Sequence, residues 1–344
     1  MKNFKQVATL LFLAGCLMAG LALAHLLQRN RAKPKIAVES KPALLPAVRG
    51  LMLPATALRQ IGGAGGAAKD HAKIAAILQA CARGNINFVM LDQSGEILGP
   101  DLEDFMDALH AAGLRGGQLI SLDPRGPQTT ERWAALGKMV RAGRFDLLAI
   151  TPANEEEVST EQWTLSLRKI REAVTAPDFA PQIAFVARRD DVAGVTWWDA
   201  SDYIGVLGPF MVADQPEPTP HQLQVGWQAQ LTEIRSIARG QAKPALLFDV
   251  QGGGAPPPNL GNRKTKTHTT QQEIQQHWYA AVLEATKGQN DLAGLFLRLP
   301  ADQENTDPTG LLTAELLPLL QRHWPPPAAT STAPGTNATT QSEK

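Results

Sequence analysis

Cysteine is nearly absent from this chain. Of 344 residues only Cys16 and Cys81 are cysteines, one in the N-terminal apolar run and one in a helical pattern, so no disulfide or metal framework is implied. The formal net charge is zero, with 33 basic and 33 acidic side chains and no basic cluster in the body. That balance argues against nucleic acid as a partner. The seven histidines do not fall into metal-ligand spacing, and no cofactor or metal is expected. There is no G-x-S-x-G elbow and no phosphate loop. Gly62-Gly63-Ala64-Gly65-Gly66 lacks the spacing of a dinucleotide fingerprint and reads as a flexible connection.

Hydrophobic residues make up 44% of the chain, enough for one large core or two small ones. Residues 1–28 form an export or anchoring segment. Lys2 and Lys5 precede an apolar run from Val7 to Leu27, followed by Arg29, Arg31, Lys33 and Lys35. Ala22-Leu23-Ala24 fits a signal-peptidase site, and Leu13-Ala14-Gly15-Cys16 has the form of a lipobox. The run outlasts both sites and is long enough to span a bilayer uncleaved. All three readings put the body in the cell envelope, on the periplasmic or extracellular face, with the cytoplasmic membrane as a partner through the anchor. Residues 29–48, with Pro34, Pro42 and Pro46, form a linker, and the Pro-, Thr- and Ser-rich 325–344 a disordered tail.

Between these ends the chain alternates. Short apolar runs at 51–54, 86–91, 117–122, 146–150, 182–187, 203–207, 245–250 and 293–299 are each bounded by Gly, Pro, Asn or Asp. Most of the gaps carry helical periodicity. Ser159 with Gln162 forms a possible capping box before Trp163, Leu167, Ile170 and Val174. Thr219-Pro220 places proline at a helix's first position, and Thr270 with Glu273 repeats the capping pattern. Eight strands alternating with helices over 49–324 predict a single-domain (β/α)8 barrel, with a doubly wound open sheet as the alternative.

In such a barrel the strand carboxyl ends share one mouth. Here they read Pro54, Asp92, Asp123, Thr151-Pro152, Arg188-Arg189, Gly208-Pro209, Asp249 and Arg298. The rim is ionic. Its Asp and Arg residues either bind a ligand or pair with each other to steady the mouth. Trp197 and Trp198 precede strand six at the opposite end, where packing is their expected role.

The segment Trp198-Asp199-Ala200-Ser201-Asp202-Tyr203-Ile204-Gly205-Val206, followed by Lys243-Pro244-Ala245-Leu246-Leu247-Phe248-Asp249 and Gly254-Ala255-Pro256, resembles strands six and seven of glycoside hydrolase family 113. Those proteins are bacterial (β/α)8 barrels typified by endo-β-mannanases. The resemblance implies a retaining glycoside hydrolase acting on a β-linked polysaccharide or oligosaccharide. Asp249 stands where the family has its nucleophilic Glu, a side chain shorter by one methylene, roughly 1.5 Å. The acid/base falls on Glu155 if Asn154-Glu155 matches the family's Asn-Glu pair, which needs strand four to run about two residues further. If Ile150 is held in register, the acid falls on Ala153 and is missing. Glu155, Glu156 and Glu157 also suit a plain acidic lead into the next helix.

The family's strand-eight Trp pair is absent from Leu295-Phe296-Leu297-Arg298, and Leu207-Gly208-Pro209-Phe210-Met211 replaces its segment after strand six. Asp92, Asp123, Arg188, Phe210 and Arg298 are the candidate substrate-binding residues. A degenerate barrel that binds glycan or an envelope protein without turnover is the competing expectation.

Overall fold

The computed structural model describes residues 45, 47–54, 71–93, 100–126, 129–154, 157–215, 218–251, 271–298 and 316–325. The 1–28 segment, most of the linker, the 62–66 glycines, Glu155, Glu156, Thr270 and all but Pro325 of the tail lie outside the described residues.

Eight parallel strands close into a barrel in sequence order, with β1 (Val48–Pro54) hydrogen-bonded to both β2 (Phe88–Gln93) and β8 (Leu292–Arg298). Between them run β3 (Arg115–Leu122), β4 (Leu147–Pro152), β5 (Gln182–Arg188), β6 (Tyr203–Leu207) and β7 (Ala245–Gln251). The surrounding helices are α1 (His71–Arg83), α2 (Pro100–Ala111), α3 (Thr130–Ala142), α4 (Thr160–Val174), α5 (Pro220–Gly240), α6 (Gln271–Thr286) and α7 (Leu316–His323). The closed parallel barrel expected from the alternation is therefore the fold.

Local chemistry sets the helix starts. Ser159 Oγ accepts from Gln162 N at 3.2 Å while the Gln162 side chain accepts from Ser159 N, a complete capping box. Thr219 and Gln222 do the same at α5, with Pro220 at the first helical position, where a missing N–H costs nothing. β2 starts two residues later than its apolar run, just after Asn87, whose N donates to Arg49 O and whose O accepts from Arg115 N, each at 3.0 Å. The Asn87 side chain accepts from Arg49 N and donates to Ala47 O, each at 2.8 Å.

Two cores follow from strand alternation. Outward side chains pack under the helices, and inward ones, among them Met52, Met90, Leu119 and Leu147, fill the barrel. Near its mouth the filling is aromatic. Phe296 stacks on Phe248 with centroids 4.9 Å apart and meets Phe88 edge-on at 5.4 Å. Gly50 makes room for it, since a Cβ there would lie 2.2 Å from the Phe296 ring.

No helix separates β5 from β6. Two 3-10 turns, Val192–Gly194 and Trp198–Ala200, stand in its place. Trp163, Phe185, Trp197 and Trp198 cover the sheet there, with Trp163 and Trp197 stacked at 5.9 Å. The two tryptophans before β6 are thus packing residues, Trp198 being 1% exposed.

The expected membrane segment is corrected. Among the described residues no helix is long and apolar enough to cross a membrane. The 21-residue α5 has the length, but it buries Leu223, Trp227, Leu231 and Ile234 against the barrel and turns a Gln- and Arg-bearing face outward. The apolar run behind the expectation lies outside the described residues. The membrane anchor, the cytoplasmic membrane as a partner and the envelope location that rested on it therefore have no support in any described helix.

Candidate functional site

The carboxyl mouth is organised by a fault in strand pairing. On either side of it Leu247 pairs with Leu295 and Val250 with Leu297, so Phe248 and Asp249 together oppose Phe296 alone. Two residues facing one is a β-bulge, a device that re-aims side chains. Asp249 carries it in the left-handed region at φ 55°, where Asp and Asn are the least penalised residues after glycine. Phe248 points into the barrel and Val250 packs outward. Strict alternation would have turned Asp249 outward too, under the helices. The bulge turns it into the mouth instead.

There it meets Arg298 at the end of β8. Arg298 Nε donates to Asp249 Oδ1, and Arg298 Nη2 donates to Asp92 Oδ2 at the end of β2. Nη2 also lies 3.7 Å from Met52 Sδ on the floor. Gln251 Nε2 donates to the same Asp249 oxygen at 2.8 Å. Tyr279 on α6 fixes the arginine's main chain, its hydroxyl donating to Arg298 O at 2.9 Å. The three charged side chains keep 20%, 21% and 27% exposure for Asp249, Arg298 and Asp92, so the group is half-desolvated and open to the mouth. Burial alone would pull the guanidinium's pKa down; the Asp249 and Asp92 charges outweigh it and hold it above the usual arginine value.

A second group sits at the end of β3. Asp123 Oδ1 accepts from Arg125 N at 2.9 Å and Arg125 Nε at 3.2 Å. Those hydrogen bonds, the backbone one foremost, hold its carboxyl below the usual range, and the Asn154 side chain adds to them. β4 continues to Pro152, two residues past Ile150. Glu157 is exposed in the approach to α4.

The remaining candidates disperse. Arg188 ends β5 exposed. Its neighbour Arg189 turns away to α5, where Gln230 and Glu233 accept its hydrogen bonds. Phe210 is not in the mouth. It is 6% exposed and packs on Trp227 of α5, centroids 5.2 Å apart. Among the described residues no group of three or more His, Cys, Asp or Glu is placed to hold a metal ion. Sequence reasoning named Asp92, Asp249 and Arg298 and missed Gln251 and Tyr279. Neither carries a local signal: Gln251 ends β7, and Tyr279 reaches a main-chain oxygen of β8 from α6.

No protein-family model and no curated protein matches the sequence. Solved structures do match. A GH113 β-1,4-mannanase superposes with a TM-score of 0.55 at 14% identity, over 81% of this chain and 99% of that one. The GH113 β-mannanase of Alicyclobacillus acidocaldarius, solved in complex with ManMIm, gives 0.54 at 16% identity, over 81% and 96%. A GH5_18 protein of Streptomyces cattleya, in complex with GlcNAc, gives 0.53 at 13%, over 81% of each chain. At such identities the likeness is one of fold: the chain is a (β/α)8 barrel like those of glycoside hydrolase families 113 and 5, without membership in either being shown.

Proposed function

We propose that this chain is a carbohydrate-active barrel that takes a β-linked polysaccharide or oligosaccharide into its carboxyl mouth and cleaves it with retention. Asp249 is the nucleophile and Glu155 the general acid/base. The bulge at Phe248-Asp249 carries the reading. It places a residue in an unfavourable backbone conformation and breaks strand alternation at the strand-seven position, and strain of that kind gathers at functional sites. It also bears on the Glu-to-Asp change. A side chain one methylene short gains reach if the extra residue in the strand carries its Cα towards the mouth.

In this mechanism Asp249 attacks the anomeric carbon as Glu155 protonates the departing glycosidic oxygen, leaving a glycosyl-enzyme ester. Glu155 then removes a proton from water, which displaces Asp249 and restores both groups. The extension of β4 to Pro152 favours the register in which Asn154-Glu155 is the acid/base pair. Asp92, Asp123, Arg188 and Arg298 are the proposed rim contacts to sugar hydroxyls; the burial of Phe210 takes it out of that set.

One observation favours glycan binding without turnover. Asp249 Oδ1 is already engaged by Arg298 and Gln251. The test is hydrolysis of β-mannan and of an activated aryl glycoside by wild type, Asp249→Ala, Asp249→Glu and Glu155→Gln, beside sugar-binding titrations. Wild-type turnover abolished by Asp249→Ala supports the enzyme. With Glu155→Gln, loss on mannan should exceed loss on the aryl glycoside, whose leaving group needs little protonation. Binding with no turnover by any variant would establish the second reading.

A further inference from the structure

Arginine's guanidinium binds a single carboxylate best through two parallel N–H···O bonds, using both oxygens. Arg298 does not do this. Its fork is split, Nε going to Asp249 Oδ1 and Nη2 to Asp92 Oδ2. The other donor to Asp249, Gln251 Nε2, uses Oδ1 as well. Among the described residues Asp249 Oδ2 accepts no hydrogen bond, although a guanidinium able to engage it lies alongside.

We propose that Asp92 is a positioning residue that acts through Arg298, drawing half of the guanidinium fork onto β2 and so leaving one oxygen of Asp249 available to attack. The inference rests on Asp249 being the nucleophile. A carboxylate whose two oxygens are both held by a guanidinium is a poor nucleophile, because each charge-assisted bond must be broken or stretched as the new C–O bond forms. A carboxylate held by one oxygen is oriented and still reactive. The geometry supports the division of labour. Asp92 and Asp249 lie on strands either side of the β1–β8 pair, and Arg298 reaches both from β8, its main chain pinned by Tyr279. Gln251, on the same strand as Asp249, adds to the hold on Oδ1 without reaching Oδ2.

With Asp92 reduced to alanine, Nη2 has no carboxylate among its described partners but Asp249, and the fork closes on both its oxygens. The chemical step, read at saturating sugar so that loss of the Asp92 rim contact is kept apart, should slow by about tenfold or more, the scale of one charge-assisted hydrogen bond.

The experiment follows covalent trapping by a 2-deoxy-2-fluoro-mannosyl fluoride, with peptide mass spectrometry locating the adduct. Wild type should be labelled on Asp249. Asp92→Ala should be labelled at least about tenfold more slowly at saturating inhibitor, Asp92→Asn by an intermediate factor, and Asp92→Glu close to wild type. In an Arg298→Gln background, adding Asp92→Ala should change nothing further, since the residue it works through is gone. A merely structural role predicts the reverse, equal losses in both backgrounds together with a lowered Tm. Labelling of Asp92→Ala at the wild-type rate, or an undiminished loss without Arg298, overturns the proposal and leaves the nucleophile assignment intact. Absence of any adduct on wild-type Asp249 overturns that assignment, and the role of Asp92 with it.

Discussion

Replacing Arg298 by methionine keeps the side chain's apolar stem over Met52 and removes the charge. It leaves two carboxylates, Asp92 and Asp249, that had shared one guanidinium and now face each other across the mouth. Removing one partner of a fully buried ion pair costs about 3–5 kcal/mol. Here the stranded carboxylates keep 27% and 20% exposure, so water recovers part of that loss. A cost of roughly 1.5–3 kcal/mol remains. For a domain of this size it is a fall in Tm of about 3–10 °C. The loss should be relieved in part by adding Asp92→Asn, which takes away one of the two repelling charges. Thermal melts followed by circular dichroism, at pH 7 on the two variants and wild type, read both effects. A shift in Arg298→Met below about 1 °C, or no rescue by Asp92→Asn, would refute the picture of one cation holding two carboxylates.

Three further outcomes follow from particular side chains. Gln118 on β3 is fully buried between Leu91 and Leu148, with neither amide atom hydrogen-bonded among the described residues. Gln118→Met should therefore raise stability by ~1–2 kcal/mol in urea unfolding, and a loss would show that the amide has a partner. Burial pushes the Cys81 thiol up to about 12, so iodoacetamide should modify Cys81 only once the barrel unfolds. Rapid adduct formation in native protein contradicts this. Burial, opposed by the hydrogen bond from Leu45 N and aided by Asp202, raises the Tyr203 phenol above its ordinary value. A raised folded pKa contributes stability that is complete below the unfolded value near ~10 and is lost as pH rises through the folded one. Tyr203→Phe should thus flatten the alkaline limb of stability against pH, and parallel limbs in the two proteins would contradict the assignment.

How far the sequence alone reached is best judged residue by residue. Strand positions were legible because a barrel strand is buried on both faces and reads as an apolar run closed by Gly, Pro, Asn or Asp. The capping box at Ser159 was legible because cap and partner lie three residues apart, and the α5 start because proline follows Thr219; the Gln222 half of the box there was not read. The mouth was only half legible. Its ionic rim follows from where strands end, but which charges pair depends on β8 lying beside both β1 and β7, a contact no local pattern contains. The bulge is a mismatch of register between β7 and β8, so it cannot be seen in either strand alone. Phe210 misled for a related reason. It follows strand six closely, yet the chain beyond Gly208-Pro209 buries the ring on Trp227 of α5 rather than in the mouth. The apolar N-terminal run invited a membrane reading that no described helix supports.

The account's central claim is that Asp249, turned inward by its bulge, faces a saccharide in the mouth. A crystal structure of Asp249→Asn, a change that preserves the side chain's shape and its tolerance of φ 55°, soaked with β-1,4-mannotetraose, tests it most directly. The account predicts a sugar ring over the mouth, its hydroxyls bonded to Arg298 or Asp92. The anomeric carbon should lie within about 3.5 Å of the variant's side-chain atom that takes the place of Asp249 Oδ2. A tetraose seated elsewhere on the barrel, or an empty mouth at saturating sugar, would contradict it.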